Sequence, residues 1–213
     1  MTKKRIGISL RIVKEQKYDE VRDALSHEWP ILLTRLNFHP VLIPNVLSDV
    51  ELFLSESKLD GIILSGGDNI GDFQIRDDTE KTIIKYAIKK EIPIFGVCRG
   101  MQLLNDYFGG TIIQMDSEIH VANTHKVEII QSDFSKFLDN KMEVNSFHKN
   151  IIIKNNLGSE LEIFANSVLD NTIEGFYHKK LPIVGVMWHP ERTQNDKNDL
   201  ILKNIFLEKK FWR

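Results

Sequence analysis

The sequence predicts an α/β protein with a mostly parallel sheet flanked by helices and a mixed or antiparallel C-terminal portion. In the first half of the chain, short apolar runs alternate with segments of helical period, as in strands buried on both faces by crossover helices. Beyond Gln114 the pattern shifts to alternation and turns, the mark of antiparallel pairing. With 42% hydrophobic and 27% charged residues the composition is that of a globular protein, and 213 residues fit a single domain spanning 1–213.

Residues 5–10 read as the first strand. Trp29, Leu32, Leu33 and Leu36 fall at i, i+3, i+4 and i+7, which predicts a helix to about Asn37 with Ser26 as N-cap and Pro30 near its first turn. A short strand at 41–43 is closed by Pro44, and Ser48-Asp49-Val50-Glu51 has the capping-box spacing that opens a second helix. The strand at 60–64 ends in Ser65-Gly66-Gly67. After a polar loop, a helix over 79–90 turns Ile83, Ile84, Ala87 and Ile88 toward the sheet, and 93–97 returns as a strand. Cys98 stands at the end of that strand, ahead of a helix over 100–108 closed by Gly109-Gly110. Segments 126–130, 161–165, 173–177 and 183–188 read as strands of the mixed portion, and 198–207 as the final helix.

Charge and cysteine usage exclude several functions. Lys and Arg number 28 against 30 Asp and Glu, a net −2, so no broad positive field exists to draw nucleic acid or an anionic membrane surface. Neither is expected as a partner. No run approaches the roughly 20 apolar residues that span a bilayer, and Met1-Thr2-Lys3-Lys4-Arg5 leads into Ile6 without the apolar core of a signal peptide, so a cytoplasmic location is expected. The single cysteine, Cys98, rules out an internal disulfide and any multi-cysteine zinc or iron–sulfur site, and suits a reducing compartment.

Gly96-Val97-Cys98-Arg99-Gly100 has the form of a nucleophile elbow, a sharp strand-to-helix turn that lifts its central side chain out of the sheet. The helix N-terminus favours an anionic sulfur, and the Arg99 N–H points where an oxyanion would develop. The alternative is an inert buried cysteine. A nucleophilic thiol needs a base, and of seven histidines His189 stands out: it follows an apolar strand, precedes Pro190 and has Glu191 two residues on to orient its ring. Outside that setting, a histidine at a strand end is an ordinary surface or satisfied residue. Ser65-Gly66-Gly67 sits at the same sheet edge and suits a second backbone oxyanion donor, although Gly-Gly is also a common turn.

Ser65-Gly66-Gly67, the run Gly96–Leu104 and Trp188-His189-Pro190-Glu191, in this order over nearly the whole chain, resemble the class I glutamine amidotransferase superfamily. Within it, Arg76-Asp77-Asp78-Thr79-Glu80, Gly109-Gly110-Thr111 and Asn145-Ser146-Phe147-His148 are similar to the γ-glutamyl hydrolase branch, the peptidase C26 group that includes γ-glutamyl-γ-aminobutyrate hydrolases. The resemblance implies a flavodoxin-like sheet, a Cys98–His189–Glu191 triad, oxyanion donors at Gly67 and Arg99, and no cofactor or metal. It further implies a γ-glutamyl pocket lined by Gly66, Gln102, Asn145, Ser146 and His148. Read from the residues alone, Gln102 fits a solvated helix position, Asn145-Ser146 a turn, His148 a surface histidine, and Arg76 with Glu80 an i, i+4 ion pair opening a solvated helix.

The sequence departs from the branch in Asp68-Asn69-Ile70-Gly71-Asp72-Phe73, which lacks a proline-containing stretch, in Lys149-Asn150 and in Asp170-Asn171. These loops are expected on the leaving-group side of the pocket. The resemblance thus implies a free-standing hydrolase of a small γ-glutamyl substrate, whose leaving nitrogen belongs to an amine or a phosphoramidate. The alternatives are a glutaminase subunit feeding ammonia to a separate synthase chain, since 213 residues leave no room for one, a role in which a homo-oligomer is also compatible, and a catalytically silent binding or regulatory protein on the same fold.

Overall fold

The computed structural model describes residues 3–208. Strands are β1 Lys4–Ser9, β2 Arg11–Glu15, β3 Glu20–Ala24, β4 Phe38–Ile43, β5 Gly61–Leu64, β6 Ile94–Val97, β7 Ile113–Gln114, β8 Asn123–Ile129, β9 Lys141–Ser146, β10 Asn150–Ile151, β11 Leu161–Ser167, β12 Ile173–His178 and β13 Ile183–Val186. Helices are α1 Glu28–Arg35, α2 Val50–Ser57, α3 Gln74–Lys90, α4 Arg99–Tyr107, α5 Ser132–Ser135 and α6 Asp196–Lys203.

Nine strands form one sheet in the order β4-β1-β5-β6-β13-β12-β11-β8-β9. The pairs from β4 through β13 are parallel and those from β13 through β9 antiparallel. This is the α/β architecture with a mixed C-terminal portion expected from the sequence. The central strands β5, β6 and β13 are buried at every residue, which is why they read as unbroken apolar runs. Their alternate side chains divide the core. Ile63, Phe95 and Val97 pack with Trp29, Leu32 and Leu33 of α1 and with Ile201 and Leu202 of α6. Ile62, Leu64 and Ile94 pack on the other face with Ile83, Ile84 and Ala87 of α3 and Met101 and Leu104 of α4. Among the described residues no helix is long and apolar enough to cross a membrane.

Several local expectations are corrected. The N-cap of α1 is His27, not Ser26, and makes no side-chain cap bond. At α2 the capping-box serine gives way to Asp49, whose carboxylate accepts the Leu52 N–H at 2.8 Å. Helix α3 begins at Gln74, five residues before the apolar stripe reveals it, because its first turns bury charged residues. The hairpin β2–β3 and strand β9 lie in segments not assigned from sequence; the hairpin is largely exposed and its charges mask any alternation.

The parallel strands place their C-terminal ends on one edge. There β1 runs into the β2–β3 hairpin, β5 into Ser65-Gly66-Gly67, β6 into Cys98 and β13 into His189. Open α/β sheets bind ligands at this edge.

Candidate active site

Cys98 joins β6 to α4 with φ 51° and ψ −107°, a backbone conformation that a side-chain-bearing residue rarely adopts. It is the N-cap of α4, its own N–H donates to the Val186 carbonyl at 2.8 Å, and its carbonyl accepts from Gln102 N at 3.0 Å. The flanking glycines are required by backbone, not by flexibility. A Cβ on Gly100 would lie 2.1 Å from the Leu64 carbonyl oxygen, and one on Gly96 would lie 2.7 Å from the Gly100 oxygen. The strand-to-helix turn anticipated from the glycine spacing is therefore formed.

His189 and Cys98 meet over Gly66. A methyl placed on Gly66 would stand 2.9 Å from His189 Cε1 and 3.5 Å from Cys98 Cβ, so this glycine is where the loops after β5, β6 and β13 converge. His189 Nδ1 is 2.7 Å from Glu191 Oε1, and both side chains are buried. Burial alone would lower the imidazole pKa; hydrogen bonds to the Cys98 sulfur and the Glu191 carboxylate outweigh it and raise the pKa to about 9. The Cys98 sulfur, a proton-holding imidazole and an orienting carboxylate thus stand in series, an arrangement able to move a proton between the ring and a neighbouring atom.

Two residues expected as backbone donors, Gly67 and Arg99, line the same cleft. Gly67 has φ +97°, a conformation glycine tolerates, and a side chain there would press on Arg11 at 3.1–3.3 Å. Among the described residues neither the Gly67 N–H nor the Arg99 N–H donates to a protein acceptor. Arg99, at the first turn of α4, belongs to the group of helix N–H donors that have no intrahelical partner.

A buried charge network holds this frame. The Arg99 guanidinium turns inward to Asp77 and Glu80. Arg76 bonds Glu80 at 3.2 Å, Asp68 at 2.9 Å, and the carbonyls of Ser65 at 3.0 Å and Gly66 at 3.1 Å. The i, i+4 pair of Arg76 and Glu80 exists, but it is completely buried, which corrects the expectation of a solvated helix start. Burial is tolerated because each charge has an opposite partner or a carbonyl. The network clamps the glycine loop to the elbow helix.

The cleft above these groups has a volume of about 420 Å³. Gly66, Gly67, Arg99, Gln102 and His148 line it together with Cys98, His189 and Glu191. Gln102 is buried, its Nε2 donating to the Asn150 carbonyl at 3.4 Å, and so is not the solvated residue its helix position alone suggests. His148 is likewise buried rather than a surface histidine. Asn145 and Ser146 lie behind the wall, a correction to their expected pocket positions. The Asn145 amide grips the His189 peptide from both sides, accepting its N–H and donating to its carbonyl, each at 2.8 Å, while Ser146 donates to the His120 carbonyl at 2.8 Å.

Of the divergent loops, Asp68, Asn69, Lys149 and Asn150 line the cleft, and Asn150 Nδ2 bridges to Asn69 Oδ1 at 3.0 Å. Asp170 does not line it; its carboxylate is held by His120 at 3.0 Å. Arg11 and Arg192, unremarked in the sequence, also line the cleft. The only available signal was their adjacency to a predicted strand end and to Glu191. Arg192 stacks 4.1 Å over the Phe147 ring, which itself meets the His189 ring edge-on at 5.8 Å.

The family model for glutamine amidotransferase class-I matches residues 18–209. The γ-glutamyl-CDP-amidate hydrolase of Campylobacter jejuni is 33% identical over 210 residues, covering 94% of this chain and 96% of that protein. The glutamine-hydrolyzing GMP synthase subunit of Methanococcus maripaludis is 33% identical over 165 residues, with 77% and 80% of the two chains covered. In structure, a glutamine amidotransferase from Thermotoga maritima superposes with a TM-score of 0.67 at 19% identity, covering 97% of this chain and 85% of the other. The matched span takes in the glycine loop, the elbow and the His189–Glu191 turn, and the chain belongs to the class-I glutamine amidotransferase family.

Proposed function

We propose that the protein is a cysteine-dependent hydrolase that cleaves a γ-glutamyl amide to glutamate and a free amine through a γ-glutamyl thioester. The carrying observation is the meeting of Cys98, the His189–Glu191 pair and two uncommitted backbone N–H groups in one cleft. Cys98 Sγ, whose proton His189 already holds, attacks the γ-carbonyl carbon. The Gly67 and Arg99 N–H groups hold the tetrahedral oxyanion. His189 then donates its proton to the departing nitrogen, the C–N bond breaks, and the thioester remains. In the second half His189 takes a proton from water, hydroxide adds to the thioester carbonyl, the C–S bond breaks, and glutamate leaves with the sulfur restored beside protonated His189.

Glu191 orients the ring and stabilises the imidazolium. Gly66, Gln102 and His148 form the wall against the γ-glutamyl portion, whereas Asn145 and Ser146 act indirectly, by positioning His189 and the His148 wall. The reading extends to the leaving group. Arg11, Lys149 and Arg192 line the cleft, each beside a carboxylate: Arg11 with Asp68 and Arg192 with Glu191 at 3.9 Å, and Lys149 with Glu118 at 3.1 Å. Asp68 and Glu191 are held more closely by Arg76 at 2.9 Å and His189 at 2.7 Å, so the balance at the mouth favours an anionic group. A volume of about 420 Å³ falls in the range of roughly 300–1,000 Å³ typical of pockets for drug-sized ligands, which supports a substrate larger than glutamine. A γ-glutamyl phosphoramidate, and specifically the γ-glutamyl-CDP-amidate named in the Campylobacter jejuni relative, meets both conditions.

The second reading is a glutaminase subunit that supplies ammonia to a separate synthase chain, and the similarity to the Methanococcus maripaludis GMP synthase subunit favours it. A panel of γ-glutamyl amides, γ-glutamyl-CDP-amidate and glutamine, with glutamate release as the readout, separates the two. Hydrolysis of the phosphoramidate by the protein alone, well above that of glutamine, is the expected result. Glutamine turnover that rises only when a synthase is added would replace the first reading with the second.

A further inference from the structure

Beside the cleft wall, on the antiparallel side of the sheet, three imidazoles converge on one carboxylate. His120 precedes β8, His125 lies on β8, His148 follows β9 and Glu174 lies on β12, and all four are buried, Glu174 completely. His125 Nε2 is 3.6 Å from Glu174 Oε2; on the other oxygen, Oε1, His148 Nε2 stands at 3.6 Å and His120 Nδ1 at 4.0 Å. One ligand atom each from His120, His125 and Glu174 lie within 4.8 Å of one another.

The protons point away from this centre. His148 Nδ1 faces the Asn150 carbonyl at 3.0 Å, an acceptor only, so the ring proton sits on Nδ1 and Nε2 turns a lone pair toward Glu174. His120 Nε2 faces Asp170 Oδ2 at 3.0 Å, which leaves its Nδ1 as a lone pair as well. The Ser146 hydroxyl lies 3.5 Å from that Nδ1, but its one hydrogen is directed to the His120 carbonyl at 2.8 Å. Among the described residues, both Glu174 oxygens, both His125 ring nitrogens and His148 Nε2 have no hydrogen-bond partner. Two imidazole acceptors, His148 Nε2 and His120 Nδ1, therefore face a buried carboxylate, a costly arrangement unless a positive charge compensates it.

We propose that His120 Nδ1, His125 Nε2 and Glu174 bind a divalent transition-metal ion, zinc by preference, with His148 Nε2 closing the set from the cleft side. Metal–ligand bonds of about 2.0–2.2 Å set neighbouring tetrahedral ligands roughly 3.3 Å apart; the imidazole–carboxylate separations of 3.6–4.0 Å, in a set whose ligand atoms all lie within 4.8 Å, contract onto the ion as it binds. Three imidazoles with a carboxylate suit zinc better than calcium or magnesium, which take oxygen ligands. The outer bonds fit as well: Asp170 on His120 and the Asn150 carbonyl on His148 fix each ring with its free nitrogen inward, as is usual around metal-bound histidine. The sequence reading expected no metal, since four residues spread from 120 to 174 have no ligand spacing to recognise. The ion takes no part in the hydrolytic steps. It ties β8 and β12 to the loop carrying Phe147, His148 and Lys149, and so braces one wall of the cleft.

The test loads the full chain with zinc, desalts it exhaustively and measures retained metal and Tm. The Cys98→Ala chain is run in parallel so that the thiol cannot account for the metal. One retained equivalent in both chains, a raised Tm, and the visible spectrum of a four-coordinate site on cobalt loading are expected. His125→Ala and Glu174→Gln should lose the equivalent, and His39→Ala, on an exposed histidine, should keep it. The proposal is overturned if the folded Cys98→Ala chain retains no stoichiometric zinc and shows no Tm shift, or if His125→Ala retains as much as the parent. Should the ligand variants fail to fold, an octahedral rather than four-coordinate cobalt spectrum in the Cys98→Ala chain overturns it equally.

Discussion

In the proposed reaction the His189 imidazole is the residue on which the chemistry turns, because one ring must both receive and return a proton. Its pKa reflects burial, which lowers it, and the Cys98 and Glu191 contacts, which raise it to about 9. The imidazolium needed for leaving-group protonation therefore persists through neutral pH and is lost as pH rises through about 9, and kcat/KM should fall on that alkaline side. Glu191→Gln removes the carboxylate that stabilises the charged ring, so the proton leaves earlier. We expect the alkaline limb to move to lower pH and turnover to drop by about 10²–10⁴; a pH profile with an unmoved limb would contradict this role. Asn145 acts one step away. Its amide holds the His189 peptide through two bonds of 2.8 Å, and Asn145→Ala should lower kcat by about 10²-fold through misplacement while leaving KM nearly unchanged. A variant that instead raises KM alone would return Asn145 to the substrate wall.

At the scale of elements, the glycine loop and the elbow helix are held together by charge. Arg76, Asp77, Glu80 and Arg99 are buried, and replacing one member strands the others in a medium that solvates them poorly. Glu80→Ala should destabilise the fold by about 3–5 kcal/mol in urea titration, and a loss under 1 kcal/mol would mean that the pairs are not desolvated as described. This network also marks the limit of what the sequence discloses. The parallel strands and the elbow were legible because a strand buried on both faces is an apolar run and a tight turn between backbones demands Gly96 and Gly100. The first turns of α3 were not, since a charge buried by pairing has the same letter as a charge in water. The β2–β3 hairpin was hidden for a related reason: its positions alternate between exposed residues of mixed charge, and Val21 is itself exposed. The roles of Asn145 and the convergence of His120, His125 and His148 on Glu174 depend on how distant antiparallel strands register, which local spacing does not encode.

Across the whole molecule, one sheet serves two ends. Its parallel half delivers Cys98, His189 and the glycine loop to a common edge, and its antiparallel half supplies the wall with His148 and Lys149. The cationic residues Arg11, Lys149 and Arg192 come from three separate segments, so the proposed selection of an anionic leaving group depends on the assembly of the entire cleft. The claim common to every part of this account is that a γ-glutamyl group passes through the sulfur of Cys98. Rapid acid quench during turnover of γ-glutamyl-CDP-amidate, followed by intact mass and peptide mapping, tests it directly. The account predicts a γ-glutamyl adduct on the peptide containing Cys98, absent from a folded but inactive Cys98→Ala chain. An adduct on another residue, or hydrolysis that survives Cys98→Ala, would contradict it.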